Sequence, residues 1–370
     1  MPLGEVSALR RGRVMSKGYL TENFGPYPVY SSQTANNGKI GSINTFDFDG
    51  EYISWTTDGA NAGTVFYRTG KFSITNVCGL ITLKSKCPLI YKFLFYWLTI
   101  EAKKHVYSGM GNPKLMSHQV ENIPVPIPCP DNPEKSLAIQ SEIVRILDKF
   151  TALTSELTAE LTAELNMRKK QYNYYRDQLL SFKEGEVKWK TLGEITEINT
   201  GQKPSEILDK AATFDYINAG TSRSGYTTMS NCDGDTVTTP SRGQGGIGFV
   251  GYQKTPFWLG PLCYKIKSLN NEILINKFLF YTLQSRNRIL LSLKKEGGVP
   301  AVNKIDLAKL IIPLPSLDEQ KRIVSLIDKF DTLTNSITEG LPREIELRQK
   351  QYEYYRDLLF SFPKPETVSN

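Results

Sequence analysis

The alternation of apolar and polar positions divides the chain into segments of different period. Ile53–Arg68 (ISWTTDGANAGTVFYR) and Thr236–Gln253 (TVTTPSRGQGGIGFVGYQ) are Thr, Val and aromatic runs cut by Gly and Asn, which predicts strands and turns. Leu89–Lys104 and Ile275–Lys294 carry apolar residues three and four apart and predict helices. Pro124–Pro130 and Pro313–Pro315 alternate proline with other residues, cannot lie inside a helix, and predict extended connectors. After each connector comes a long amphipathic stretch. Its apolar stripe is Phe150, Leu153, Leu157, Leu161 and Leu165 in the first case, and Phe330, Leu333, Ile337, Leu341 and Ile345 in the second. Steps mostly of four exceed the heptad average, so two such helices are expected to bury their stripes against each other in a straight or slightly right-handed pairing.

The two long helices are copies. DKFTALTSELTAELTAELNMRKKQYNYYRDQLLSF (Asp148–Phe182) and DKFDTLTNSITEGLPREIELRQKQYEYYRDLLFSF (Asp328–Phe362) align without a gap, with 19 of 35 positions identical. The repeat reaches further: Leu3–Val6 matches Leu192–Ile195, Lys92–Tyr96 matches Lys277–Tyr281, and Val125–Pro128 matches Ile312–Pro315. Residues 19–80 and 208–265 hardly align, which suggests one scaffold carrying two different surfaces. The expected segments are therefore a first module (1–135), a first helix (136–182), a second module (183–315), a second helix (316–362) and a tail (363–370). The fold class is α+β, two β-rich modules alternating with two long helices that pair antiparallel about a pseudo-twofold axis. Ser316 with Glu319 forms a capping box, whereas Ser136 is followed by Ile139 and gives a weaker cap. Gly340 and Pro342 predict a break in the second helix, with Pro342 opening the next segment. GEVKWKTLGEI precedes the second module, while the first begins abruptly at MPLGEV.

Composition then narrows the class. The chain has 370 residues, enough for two to three domains, and 40% hydrophobic with 22% charged residues fits a soluble globular protein. Leu89–Ile100 is the longest strongly apolar stretch and is too short for a bilayer, and no signal-like run opens the chain, so no membrane role and a cytoplasmic location are expected. Five cysteines without CxxC spacing read as free thiols, and two histidines make a zinc site improbable. The net charge of +7 sits on the modules: residues 1–147 hold 15 basic and 11 acidic side chains and residues 183–327 hold 19 and 14, whereas the helices are neutral or acidic. Such an excess fits a polyanion partner, and equally an ordinary basic protein.

The paired QY-x-YYRD-x-L helix ends, the I-P-x-P-type connectors and their duplication resemble the specificity subunits of type I restriction–modification systems, over nearly the whole chain. The resemblance implies a noncatalytic subunit in which each module is a target recognition domain reading one half of an asymmetric bipartite sequence in double-stranded DNA. It implies that the helices set the gap and dock two adenine-N6 methyltransferase subunits, which restriction (translocase and nuclease) subunits join. S-adenosylmethionine, ATP and Mg then belong to those partners, and this chain binds no cofactor. An alternative of another class is a coiled-coil scaffold whose modules bind proteins or glycans; a further one is the recognition half of a split single-chain system. The TAEL repeat at Thr158–Leu165 lies in the spacer, where one four-residue unit is worth about 6 Å of helix.

No catalytic constellation is expected. There is no Pro-Pro dipeptide, hence no NPPY-type methyltransferase motif, and no P-loop; Gly243–Gly248 matches GxGxxG but is followed by FVGYQKTPFWLG, which predicts a turn between strands. Base reading needs Arg, Lys, Asn and Gln, with Ser or Thr beside them. In the first module the polar loop Ser31–Lys39 supplies Ser32, Gln33, Asn36, Asn37 and Lys39, with Asn61 and Arg68 in the next loop and hairpin as secondary candidates. In the second, Thr221, Arg223, Arg242 and Gln244 are the candidates, each of which could equally be part of an ordinary surface turn. By resemblance, Tyr172, Tyr175, Arg176, Tyr352, Tyr355 and Arg356 are candidates for the methyltransferase dock, with packing inside the chain as the alternative for the tyrosines.

Overall fold

A computed structural model describes residues 1–85, 87–109, 111–210, 213–243, 245–295, 300–335 and 340–362. The chain folds as two compact units. One is Met1–Ala159 together with the chain from Glu346 on, and the other is Glu160–Ile345. The boundary therefore differs from the consecutive segments expected above: each unit takes one module, the start of one long helix and the end of the other.

Unit 1 is built on a six-stranded sheet of β1 (Ser7–Arg11), β2 (Phe24–Tyr30), β3 (Lys39–Ile43), β4 (Phe48–Thr56), β5 (Val65–Ile74) and β6 (Cys78–Leu83), in the order β1-β6-β4-β5-β2-β3. The pairs are antiparallel except β2 with β5. The predicted hairpin of residues 53–68 is the β4–β5 ladder, in register from Phe48↔Phe72 to Trp55↔Val65. Trp55 is buried and donates its indole N–H to the Leu115 carbonyl at 2.9 Å, so the aromatic is both packed and satisfied. Helix Tyr91–Glu101 lays Phe93, Leu94 and Leu98 on this core, which Ile143 and Leu147 from the first long helix and Phe360, just past the end of the last helix, complete.

Unit 2 splits its strands. A four-stranded antiparallel sheet has β7 (Lys188–Thr191) outside it and contains β8 (Thr196–Thr200), β11 (Thr236–Pro240), β12 (Gly251–Gln253) and β14 (Cys263–Ser268), in the order β12-β11-β14-β8. A smaller sheet joins β9 (Phe214–Ile217), β10 (Gly225–Thr227) and β13 (Trp258–Leu259). β7 pairs with β15 (Ile311–Leu314), the predicted proline connector, with Pro313 opposite Trp189. Unit 1 makes the equivalent pairing where its chain begins: Val125 donates to the Met1 carbonyl at 2.7 Å and Leu3 to that of Ile123 at 2.9 Å. The predicted helix 275–294 is two, Asn276–Ser285 and Asn287–Ser292, parted at Arg286. Their core partners include Ile323 and Ile327 from the second long helix and Tyr172 and Leu180 from the end of the first.

The first long helix runs Pro133–Leu179, starting before the expected Ser136. Asn132 accepts from Lys135 N at 3.0 Å and Pro133 takes the first helical position, a stronger start than Ser136 offers. Ser136 is instead buried. In the second copy Ser316 does cap, accepting from Glu319 N at 3.3 Å. The described helical residues of that copy are Leu317–Asn335 and Gly340–Leu359. Gly340 has φ +76°, a left-handed conformation foreign to a helix interior, and Pro342 lies in the new first turn; the break is where the sequence puts it. Of the expected stripe, Ile337 lies outside the described residues. Leu153 and Leu333 are 53% and 57% exposed, so the stripe is only partly covered, and full burial is reserved for positions nearer the helix starts, such as Leu147 and Ile327. No helix among the described residues is long and apolar enough to cross a membrane.

Candidate nucleic-acid interface

The repeated motifs meet in space. In unit 1, Asp148 accepts from Lys92 Nζ at 2.6 Å and from the Tyr96 hydroxyl at 2.7 Å. In unit 2, Asp328 pairs with Lys277 at 3.3 Å and accepts from the Tyr281 hydroxyl. Burial first, then the carboxylate, pushes both tyrosines above their ordinary pKa, so each stays a donor. Two turns nearer the helix start, the fully buried Gln140 accepts from Ile90 N at 2.9 Å and donates to the Pro88 carbonyl at 2.8 Å. Gln320 does the same with Ile275 N and the Ile273 carbonyl, at the same distances. These four side chains fasten a module to its long helix. The sequence carried both motifs, Lys-Phe-Leu-Phe-Tyr and Asp-Lys-Phe, without the link between them.

The helix ends exchange. Phe150 stacks on Tyr355 with centroids 5.6 Å apart, and Thr151 meets Tyr352 at 3.1 Å. In unit 2, Tyr175 stacks on Phe330 at 6.0 Å. Each YYRD end thus packs antiparallel on the Asp-Lys-Phe start of the other repeat. Tyr172 is buried, its ring 5.6 Å from the Arg176 guanidinium, and Tyr352 holds Arg356 at 6.0 Å. Both arginines also pair with the next aspartate at 2.8 Å. So Tyr172, Arg176, Tyr352 and Arg356 are engaged inside their own units, and Tyr175 and Tyr355 share one ring face with the chain. The most open aromatics of the helix ends are Tyr174 and Tyr354, 60% and 63% exposed.

In the first module the loop after β2 is a closed structure. Ser31 N donates to the Gly38 carbonyl at 2.9 Å and Gln33 Nε2 to the Lys39 carbonyl at 2.6 Å. Asn36 and Asn37 have φ +48° and +54°, with Gly38 following at +81°. Ser32 and Gln33 are half-buried, and Asn36, Asn37 and Lys39 are exposed. Arg68 is not on the surface: it is 2% exposed, donating Nε to Ser54 Oγ at 3.0 Å and Nη1 to the Asn37 carbonyl at 2.8 Å. As placed it supports the loop from below rather than reaching a ligand, because its strand position turns it inward over Tyr30 and Phe66. Asn61 sits in the turn before β5, the end of that strand away from its pairing with β2, so the structure does not bring it to the loop.

In the second module Thr221 and Arg223 are exposed on a cleft of about 380 Å³ also lined by Asp215, Thr238, Tyr252 and Gln253. Arg223 lies over the Tyr226 ring at 4.7 Å and 3.4 Å from Asp215. Gly245–Gly248, the described end of the glycine-rich segment, is a turn, as expected, and a Cβ on Gly246 would come within 2.7 Å of Gly220 N, so the turn packs closely on the Thr221–Arg223 loop. Arg242 is exposed at its start, bridged to Ala301. Gln244 lies outside the described residues.

The family model of the type I restriction modification DNA specificity domain matches residues 1–167 and 184–347, one match for each half. This chain belongs to the type I restriction–modification specificity subunits. It is 48% identical over 307 residues to the Escherichia coli EcoR124I/EcoR124II specificity subunit, covering 76% of this chain and 73% of that one. It is 32% identical over 378 residues to a putative type I specificity subunit of Mycoplasma pneumoniae, covering 98% of both. Its fold is that of a chain from a structure of type I system assembly and conformational transition (TM-score 0.64, 16% identity, 97% of this chain and 96% of that one). A specificity subunit from M. genitalium gives a TM-score of 0.50 at 19% identity, covering 99% and 96%. The protein is thus a DNA-recognition subunit, and the scaffold alternative is not favoured.

Proposed function

We propose that each module reads one half of an asymmetric bipartite target in double-stranded DNA, with the long helices setting the unread gap. The reading rests on one observation: the two units repeat their Gln and Asp fastenings to the helices while their sheets differ in strand number, order and loops. Identical mounts with different faces suit a partner whose two halves differ. The chain positions; two methyltransferase subunits and the restriction subunits supply the chemistry and hold S-adenosylmethionine, ATP and Mg. The helix ends around Tyr174, Tyr175, Tyr354 and Tyr355 form the dock, and the complex works in the cytoplasm. The base-reading groups are Ser32, Gln33, Asn36, Asn37 and Lys39 in the first module and Thr221, Arg223, Arg242 and Gln244 in the second.

The test is adenine-methylation mapping in cells expressing this chain with its cognate methyltransferase. A single asymmetric bipartite motif that vanishes with the chain is expected; no chain-dependent motif refutes the proposal. The division between units falls inside the TAEL run, between Ala159 and Glu160. Removing Thr158–Leu161 takes out about 6 Å of helix and should change the gap while leaving both half-sites intact. A parental gap in that variant rules out the spacer role.

A further inference from the structure

Arg68 combines features that structural packing alone does not require. It is a buried cation on β5, and among the described residues no carboxylate pairs with it. Its Nη2 is buried without a hydrogen-bond partner. The guanidinium is sandwiched at 3.6 Å from the Tyr30 ring centroid and 4.5 Å from that of Phe66, and burial pulls its pKa down to about 10. Desolvating an arginine is costly unless its donors are used. Its longest-range bond, across 31 residues, goes to the carbonyl of Asn37, in the middle of a turn where three successive residues have positive φ. Two of these are asparagines, for which that conformation costs free energy relative to glycine. Gly38 completes the turn directly above the guanidinium: a Cβ there would lie 3.0 Å from Nη2. The spending of a buried charge on a strained, exposed Asn-Asn pair points to the pair's shape as the thing being preserved.

We propose that Arg68 is a positioning residue for recognition of the first half-site: by holding the Asn37 carbonyl it fixes the left-handed turn that presents the Asn36 and Asn37 side-chain amides to a base edge. An amide offers one donor and one acceptor together, the pattern that matches N7 and N6 of adenine in the major groove, so an A·T pair is the chemistry such a pair reads. The inference rests on the bipartite-recognition reading and adds a mechanism inside one module. Ser31 N on the Gly38 carbonyl, Gln33 on the Lys39 carbonyl and Thr75 Oγ1 on Ser31 Oγ at 2.9 Å close the loop from the sides, leaving Arg68 as the support from beneath.

The test is methylation mapping of the full chain with its methyltransferase, comparing Arg68→Lys, Asn37→Gly and the double variant. Glycine at 37 keeps both the left-handed turn and the carbonyl that Arg68 holds, and deletes only the amide. Lysine at 68 keeps the charge but cannot reach Ser54 and Asn37 together from a planar fork. Both single variants should lose discrimination by about 10- to 100-fold at the same A·T pair of one half-site, with the other half-site and the gap unchanged, and the double variant should lose no more. A merely structural Arg68 would lower methylation of the parental motif without changing which bases are read. The proposal is overturned by that result, by relaxation at a G·C pair or in the half-site that Arg223→Ala affects, or by an Asn37→Gly motif identical to the parent. Because Asn37 is exposed, its variant folds and decides the matter even where Arg68→Lys does not. A parental chain without any chain-dependent motif would instead sink the bipartite reading on which this one stands.

Discussion

Unit 1 presents one six-stranded sheet and a closed polar loop supported by a buried arginine, whereas unit 2 presents a four-stranded and a three-stranded sheet with an open cleft between loops. Beneath these differences the main fastenings correspond: Gln140 and Gln320 on the turn that opens the short helix, Asp148 and Asp328 on its Lys and Tyr, while the second donation from the Gln amide differs, to Ser136 Oγ in one unit and the Pro315 carbonyl in the other. The difference teaches that the mount and the face are separable. A buried amide that satisfies both a free N–H and a free C=O fixes where a module sits without specifying anything about the strands above it. The two modules could therefore diverge in their sheets with no change in how either meets its helix.

The hardest strain on that comparison is removal of the buried amides. Gln140→Ala should cost unit 1 about 2–4 kcal/mol, since it empties a fully buried side-chain position and leaves Ile90 N and the Pro88 carbonyl, both partly buried, unpaired. Gln320→Ala should cost unit 2 a similar amount, within about 1 kcal/mol. Denaturant unfolding followed through Trp55 and Trp97 in one unit, and Trp189 and Trp258 in the other, reports each separately. A large loss in one and none in the other would break the equivalence of the mounts.

Faces should behave in the opposite way. Arg223→Ala and Arg242→Ala, on the exposed rim of unit 2, should each cost about 1–3 kcal/mol of discrimination at one base pair of a single half-site, and leave stability alone. Arg223 gives up only its 3.4 Å contact with Asp215 and its place over Tyr226, both solvent-exposed. Should methylation maps of both variants equal the parent's, neither the cleft at Arg223 nor the turn at Arg242 is the reading surface of unit 2.

An intermediate case is the aspartate. Asp148→Asn and Asp328→Asn keep an acceptor for Tyr96 and Tyr281 but remove the charge that Lys92 and Lys277 face. Since these carboxylates are 38% and 45% exposed, the expected loss is about 1 kcal/mol in each unit, smaller in high salt. A loss as large as that for the glutamines would mean the charge, rather than the amide, carries the mount.

How much of this was legible in the sequence follows from the same division. The repeat, the β-rich middles, the left-handed Gly340 ahead of Pro342 and the turn at Gly245–Gly248 were readable because each rests on local chemistry: period, backbone freedom, proline. The unit boundaries were not, because exchange of the YYRD ends depends on Phe150 meeting Tyr355 and Phe330 meeting Tyr175, pairings far apart along the chain that no window reveals. The start at Asn132 was missed because Ser136 matched the motif better than the residue that caps. Arg68 was read as a surface donor, since an arginine between Tyr67 and Thr69 looks exposed until the strand's inward face is known. What could have flagged it is its place in the alternation: Phe66, Arg68 and Gly70 share a face of β5.

The finest test concerns the helix ends, where mount and dock lie on the same side chains. Tyr175→Ala and Tyr355→Ala each remove a ring stacked on the other repeat's phenylalanine and should cost about 0.5–1.5 kcal/mol. Tyr174→Ala and Tyr354→Ala remove rings that touch mainly their neighbours Tyr175 and Tyr355, and should change stability by no more than about 0.5 kcal/mol. If the exposed tyrosines serve the methyltransferase, the second pair of substitutions weakens co-purification with that subunit although the chain is as stable as before. Aromatic anchors on an otherwise polar helix are what an interface core requires, and Tyr174 and Tyr354 stand at equivalent places in the two copies. Undiminished co-purification in the doubly substituted chain would move the dock elsewhere, and leave these tyrosines as incidental companions of the two that stack.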